Sequence, residues 1–97
     1  MLRITVNQDQ GETVTLKIEG KLAGTRVSEL DRAWQALEPS LNSGKLVVDL
    51  RGLTFADTDG QKTLSEIHSR TGAEFLADTP LTKYYAEIAR QGNATNS

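Results

Sequence analysis

KLVVDLRGLTFADTDG, residues 45 to 60, decides how this chain folds. Its first six residues, Lys45 to Leu50, form the most apolar strand-like run and read as a central strand. Leu46, Val48 and Leu50 fall on one face of that strand, and Lys45, Val47 and Asp49 on the other. The last four residues, Asp57-Thr58-Asp59-Gly60, read as a helix start. The first amides of a helix lack partners and its dipole is positive there, so Asp57 or Thr58 is expected to accept an amide bond as N-cap, with Asp59 in the first turn. Phe55 to Gly60 reads as the loop between strand and helix.

Upstream, Leu2, Ile4 and Val6 alternate with polar residues, and the alternation resumes at Val14, Leu16 and Ile18. This predicts an antiparallel hairpin with Gly11 in its turn and Gly20 closing the second strand. Val27, Leu30, Trp34, Leu37 and Leu41 then form one helical stripe. Thr25 is a candidate N-cap for this helix, Ser28 with Asp31 a capping box one turn later, and Pro39 and Gly44 set its end. Downstream of Asp57, a second helix is expected to bury Gly60, Leu64, Ile67, His68 and Thr71 and to stop at Gly72. AEFLA is a fourth strand. Thr79 and Pro80 open a third helix, with Leu81, Tyr84, Tyr85, Ile88 and Ala89 along one face and Gly92 at its end.

The order β-β-α-β-α-β-α contains two strand-helix-strand crossovers, which share one hand and so place their helices on one side of the sheet. The strands agree, since one face is largely polar throughout and a sheet covered on both sides would lose that alternation. The expected fold is therefore an α/β domain with a four-stranded mixed sheet and helices on one face. Val47 and Leu76 are the apolar spots of the outer face. Residues 1–92 form the domain and 93–97 a flexible tail.

Composition narrows the function. At 97 residues the chain supports one core. A net charge of −2 with both signs interspersed provides no basic stripe for nucleic acid. The absence of cysteine removes disulfides and thiol chemistry. No run approaches the ~18 apolar residues of a membrane span, and no secretion signal opens the chain, so a cytoplasmic protein without membrane insertion is expected.

VVDLRGLTFADTDG, preceded by LKIEGKLAG and a helix and followed by helix, strand and helix, resembles the STAS domain, the fold of bacterial anti-sigma-factor antagonists. The resemblance runs from Leu2 to about Arg90. Its anchors are Gly20 with Leu22, the Val-Asp-Leu strand, and Phe55-x-Asp57-x-x-Gly60. It implies a non-catalytic protein-binding module acting in partner switching and the regulation of transcription. The family's phosphoacceptor, usually a serine or threonine just before the glycine, falls on Asp59, and Thr58 precedes it. A carboxylate brings one negative charge and two acceptor oxygens where a phosphoryl group brings about two charges and three, so Asp59 is expected to act as a partial, built-in phosphomimic. Lys21 and Ala23 stand where kinase-binding relatives tend to carry acidic residues.

The expected docking surface combines Phe55, Asp57, Thr58, Asp59 and Gly60 with the exposed side of the second helix, Lys62, Ser65, Glu66, Ser69 and Arg70. Its implied partner is an anti-sigma factor or serine-kinase-like protein. The alternative is the small STAS subunit of a lipid-transporting ABC system, touching its ATPase through Thr58. Asp-x-Asp-Gly after a strand is also the nucleophile motif of haloacid-dehalogenase-type phosphatases, but these need a further lysine, a second acidic site and a cap in a longer chain. A receiver domain needs an acidic pair after its first strand, and a calcium loop needs more oxygen ligands at alternating positions. An enzyme, a metal and a cofactor are accordingly not expected. His68 reads as a boundary residue beside the core, Trp34 as core, and one of Tyr84 and Tyr85 as outward-facing and available to a homodimer.

Overall fold

The computed structural model describes residues 1–8, 12–41 and 44–91, with only the backbone of residue 40. The elements are β1 (Leu2–Gln8), β2 (Thr13–Leu22), α1 (Arg26–Leu41), β3 (Lys45–Ala56), α2 (Thr58–Thr71), β4 (Glu74–Leu76) and α3 (Pro80–Gln91). The strands form one sheet in the order β1-β2-β3-β4. β1 pairs antiparallel with β2, while β2 with β3 and β3 with β4 are parallel. The helices pack on one face of this mixed sheet. This is the expected architecture, and the one that the STAS resemblance implies. The turn assigned to Gly11, the helix end assigned to Gly92 and the tail 93–97 lie outside the described residues.

The inner face carries the core because alternate strand residues all point to it. Val14, Leu16 and Ile18 from β2, Leu46, Val48 and Leu50 from β3 and Phe75 from β4 are buried against Leu30 and Trp34 of α1, Leu64 and Ile67 of α2, and Tyr85, Ala86 and Ala89 of α3. Each fully buried side chain of this size contributes roughly 1.5–3 kcal/mol. Trp34 satisfies its indole by donating to Asp31 Oδ1 at 3.1 Å. His68 lies at the core boundary, its ring 6.0 Å from that of Phe75. Gly72, with φ of 68°, caps α2, and its amide reaches the His68 carbonyl. α3 begins as expected, with Thr79 Oγ1 accepting from the Thr82 amide at 3.1 Å.

Several expectations are corrected. β3 does not end at Leu50 but runs to Ala56, because β2 continues beside it to the pairs Lys21–Phe55 and Leu22–Ala56 after two register shifts. Phe55 is therefore a strand residue. The end of α1 needs no correction: the helix runs to Leu41, between Pro39 and Gly44, with Pro39 inside its last turn. In α3, Leu81 and Tyr84 are exposed, and Thr82 and Ala86 occupy the inner face with Tyr85 and Ala89. The Thr82 hydroxyl is buried without cost because it bonds within the cap, accepting from the amides of Asp78 and Thr79. On the outer sheet face Asp49 is only 5% exposed, held by the guanidinium of Arg51 through two bonds of 3.0 Å.

Candidate functional site

The end of β3 and the start of α2 are fixed by three hydrogen bonds, one between backbones and two to side chains. The Asp57 amide donates to the Leu22 carbonyl of β2 at 3.1 Å, and the Ala56 amide donates to the Tyr85 hydroxyl at 3.1 Å. Gln61 Nε2 donates to the Ala56 carbonyl at 2.9 Å. The chain thus turns from strand to helix at one fixed residue, Asp57.

Asp57 is the N-cap. Its Oδ1 accepts the Gly60 amide at 2.8 Å, and its Oδ2 accepts the Gly24 amide at 3.0 Å. The second bond reaches across 33 residues to the turn that opens α1, so one carboxylate ties the starts of two helices together. The Gly24 amide first, and then that of Gly60, hold its carboxyl below the usual carboxylate value of 3.8. Gly60 follows from the same geometry. A Cβ there would lie 2.7 Å from the Leu22 carbonyl oxygen and 2.9 Å from Leu22 Cγ, so only glycine lets α2 sit this closely on β2.

Thr58 and Asp59, the first two residues of α2, are exposed. Among the described residues the Asp59 carboxylate makes no hydrogen bond or ion pair. It borders an open depression of about 380 Å³ between the first turns of α1 and α2, which also touches Gly24, Ser28, Asp31, Lys62 and Glu66. Three carboxylates and one lysine give this depression a net acidic lining.

Of the predicted surface, Lys62, Glu66, Ser69 and Arg70 are exposed on α2. Arg70 faces Glu66 at 3.9 Å and Glu38 at 3.7 Å, with its guanidinium 5.8 Å from the Trp34 ring centre. Ser65 is a correction: it is 4% exposed and points to α3, where its hydroxyl donates to the Ile88 carbonyl at 3.4 Å. It is not on the exposed face of α2. Phe55, 44% exposed, lies outside the depression at the end of β3. Asp57 and Gly60 belong to the scaffold of the site. The contribution of α1, through Gly24, Ser28 and Asp31, was not expected from the sequence. Its one legible signal was the polar turn Gly24-Thr25 between two periodic segments.

Among the described residues no group of three or more His, Cys, Asp or Glu side chains is placed to hold a metal ion. No helix of the described chain is long and apolar enough to cross a membrane.

No family model and no curated protein matches this chain. Among solved structures, the crystal structure of Mglu matches 78% of this chain with a TM-score of 0.61 and 19% identity. The chain spans 19% of the Mglu chain, and the likeness concerns the fold of that stretch alone. The crystal structure of an uncharacterized protein of the DUF3478 family from Shewanella loihica PV-4, described as having a SpoIIAA-like fold, matches 97% of this chain and 79% of its own length at a TM-score of 0.49 and 15% identity.

Proposed function

We propose that this domain is a non-catalytic regulatory module that docks to a partner protein at the start of α2, with Asp59 as a permanent anion where STAS relatives add or remove a phosphoryl group. One observation carries the reading. Two aspartates stand at the same helix end; Asp57 is consumed by the two amides it accepts, whereas Asp59 is exposed, unpaired among the described residues and beside an open depression. The cap accounts for both oxygens of Asp57, whereas Asp59 contributes to α2 only as a first-turn charge and keeps its carboxylate exposed.

The partner is an anti-sigma factor or serine-kinase-like protein. Incubation with such a kinase and ATP should transfer no phosphate to the unaltered domain. Asp59→Ser restores a hydroxyl at this position and should change the affinity for the kinase several-fold in calorimetry. Equal affinity of the two proteins rejects the phosphomimic, and robust phosphorylation of the unaltered chain rejects the permanent lock.

The exposed hydroxyl of Thr58 supports a second reading, a subunit that contacts the ATPase of a lipid-transporting ABC system. In that case Thr58→Ala, rather than Asp59→Ser, weakens the retained ATPase.

A further inference from the structure

β1 is the longer of the two edge strands of the sheet. Its partner β2 pairs in the unbroken register Leu2–Gly20 to Gln8–Val14, and the Lys21 amide donates to the Met1 carbonyl at 3.0 Å. In an antiparallel ladder every second residue exchanges bonds with its partner. Met1, Arg3, Thr5 and Asn7 therefore bond to β2, and the amides and carbonyls of Leu2, Ile4, Val6 and Gln8 point away from the sheet.

Edges of this kind are ordinarily blunted by proline, lysine, a bulge or an inward-pointing charge. β1 has none of these. Its inward side chains are Leu2, Ile4, Val6 and Gln8; Leu2 and Ile4 are half-buried at the margin of the core, and Val6 is 45% exposed. Its one charge, Arg3, is on the outer face, where its cross-strand neighbour on β2 is Glu19.

We infer that β1 pairs antiparallel with β1 of a second copy, joining the two sheets across a two-fold axis at Thr5. The strand is self-complementary in that register. Leu2 meets Gln8 of the other copy and Ile4 meets Val6, so every outward amide and carbonyl of these four residues finds a partner. On the helix side Ile4 and Val6 of both copies close into one apolar strip. On the outer face Arg3 meets Asn7 and Thr5 meets Thr5, so no like charges oppose each other. A second copy fits because the axis makes both halves of this pattern the same sequence, and the surface shares no residue with the start of α2.

The absence of native cysteine makes the test specific. At the axis the two Thr5 Cα atoms would be about 4.5 Å apart, within disulfide reach, whereas two Arg3 residues would be separated by ~13 Å. Under mild oxidation Thr5→Cys should form a disulfide-linked dimer and Arg3→Cys should not. The mass of the unaltered protein in solution should double with concentration, and Val6→Lys, which places a charge in the apolar strip, should hold it at the monomer. Tyr84→Ala should leave the transition in place. Equal cross-linking of both cysteine variants, a monomer at every concentration, or a dimer lost with Tyr84→Ala and kept with Val6→Lys overturns the inference.

Discussion

The two halves of β3 are one strand by hydrogen bonding and two different objects by environment. Lys45 to Leu50 is flanked on both sides, by β2 and by β4 at Val47 to Asp49, and its inward residues Leu46, Val48 and Leu50 are almost fully buried. Arg51 to Ala56 has β2 alone, in a ladder shifted twice, and its other edge is closed at Ala56 by the Tyr85 hydroxyl. The first half holds the core. The second gives up strict alternation, leaves Phe55 44% exposed and delivers the chain to Asp57. A central strand thus provides stability at one end and a positioned surface at the other, and the division falls where β4 stops.

The largest effect should come from breaking the first half. Leu50→Ala empties a site with no exposed surface and should cost about 2–5 kcal/mol in urea denaturation. Phe55→Ala removes a larger side chain from a half-exposed position and should cost less than about half as much. Similar losses for both would erase the contrast between the halves.

Gly60→Ala sharpens the contrast at the point where the second half hands over to α2. On an exposed helix this change gains about 1 kcal/mol of helix propensity. Here the added Cβ would press on the Leu22 backbone at 2.7 Å, and overpacking of this kind costs about 1–3 kcal/mol. The expected net result is a loss of about 1 kcal/mol, read from the shift in urea midpoint at unchanged slope. A gain in stability would mean that α2 does not rest on β2.

The same division explains what could be read in the sequence. Leu46, Val48 and Leu50 declare a one-sided sheet because their environment repeats every second residue, and Trp34 marks a helix stripe because its neighbours recur at 3.6. Phe55 reads as a loop residue because its strand character depends on pairing with Lys21, which no local pattern encodes. The inward placement of Ser65 and Thr82 is illegible for a different reason: hydrophobic periodicity does not count a hydroxyl as an inward residue, yet both are buried with their hydroxyl bonds satisfied. Of the site, Asp57 as N-cap was one of two legible options, and Gly60 was legible as inward-facing. The second partner of Asp57 was not legible, because Gly24 is brought to it only when β2 and β3 lie side by side.

That long-range bond makes the smallest and most specific prediction. Asp57→Asn keeps one carbonyl oxygen for the Gly60 amide, but its other atom is a donor and cannot accept from Gly24. The variant should be slightly less stable than the unaltered protein at neutral pH. Because the folded-state pKa of Asp57 lies below 3.8, the stabilisation due to its charge is complete above that value and is lost as pH falls through the folded pKa. Melting temperatures of the two proteins should therefore converge as pH falls below 3.8 and through the folded pKa, where the carboxyl at Asp57 becomes protonated and can do little more than the amide. Asp49, whose bond to Arg51 also lowers its pKa, titrates in both proteins and cancels from the difference. A gap that stays constant through this range would show that the tie between the two helix starts does not depend on the carboxylate charge, and that this corner of the second half is held by backbone bonds alone.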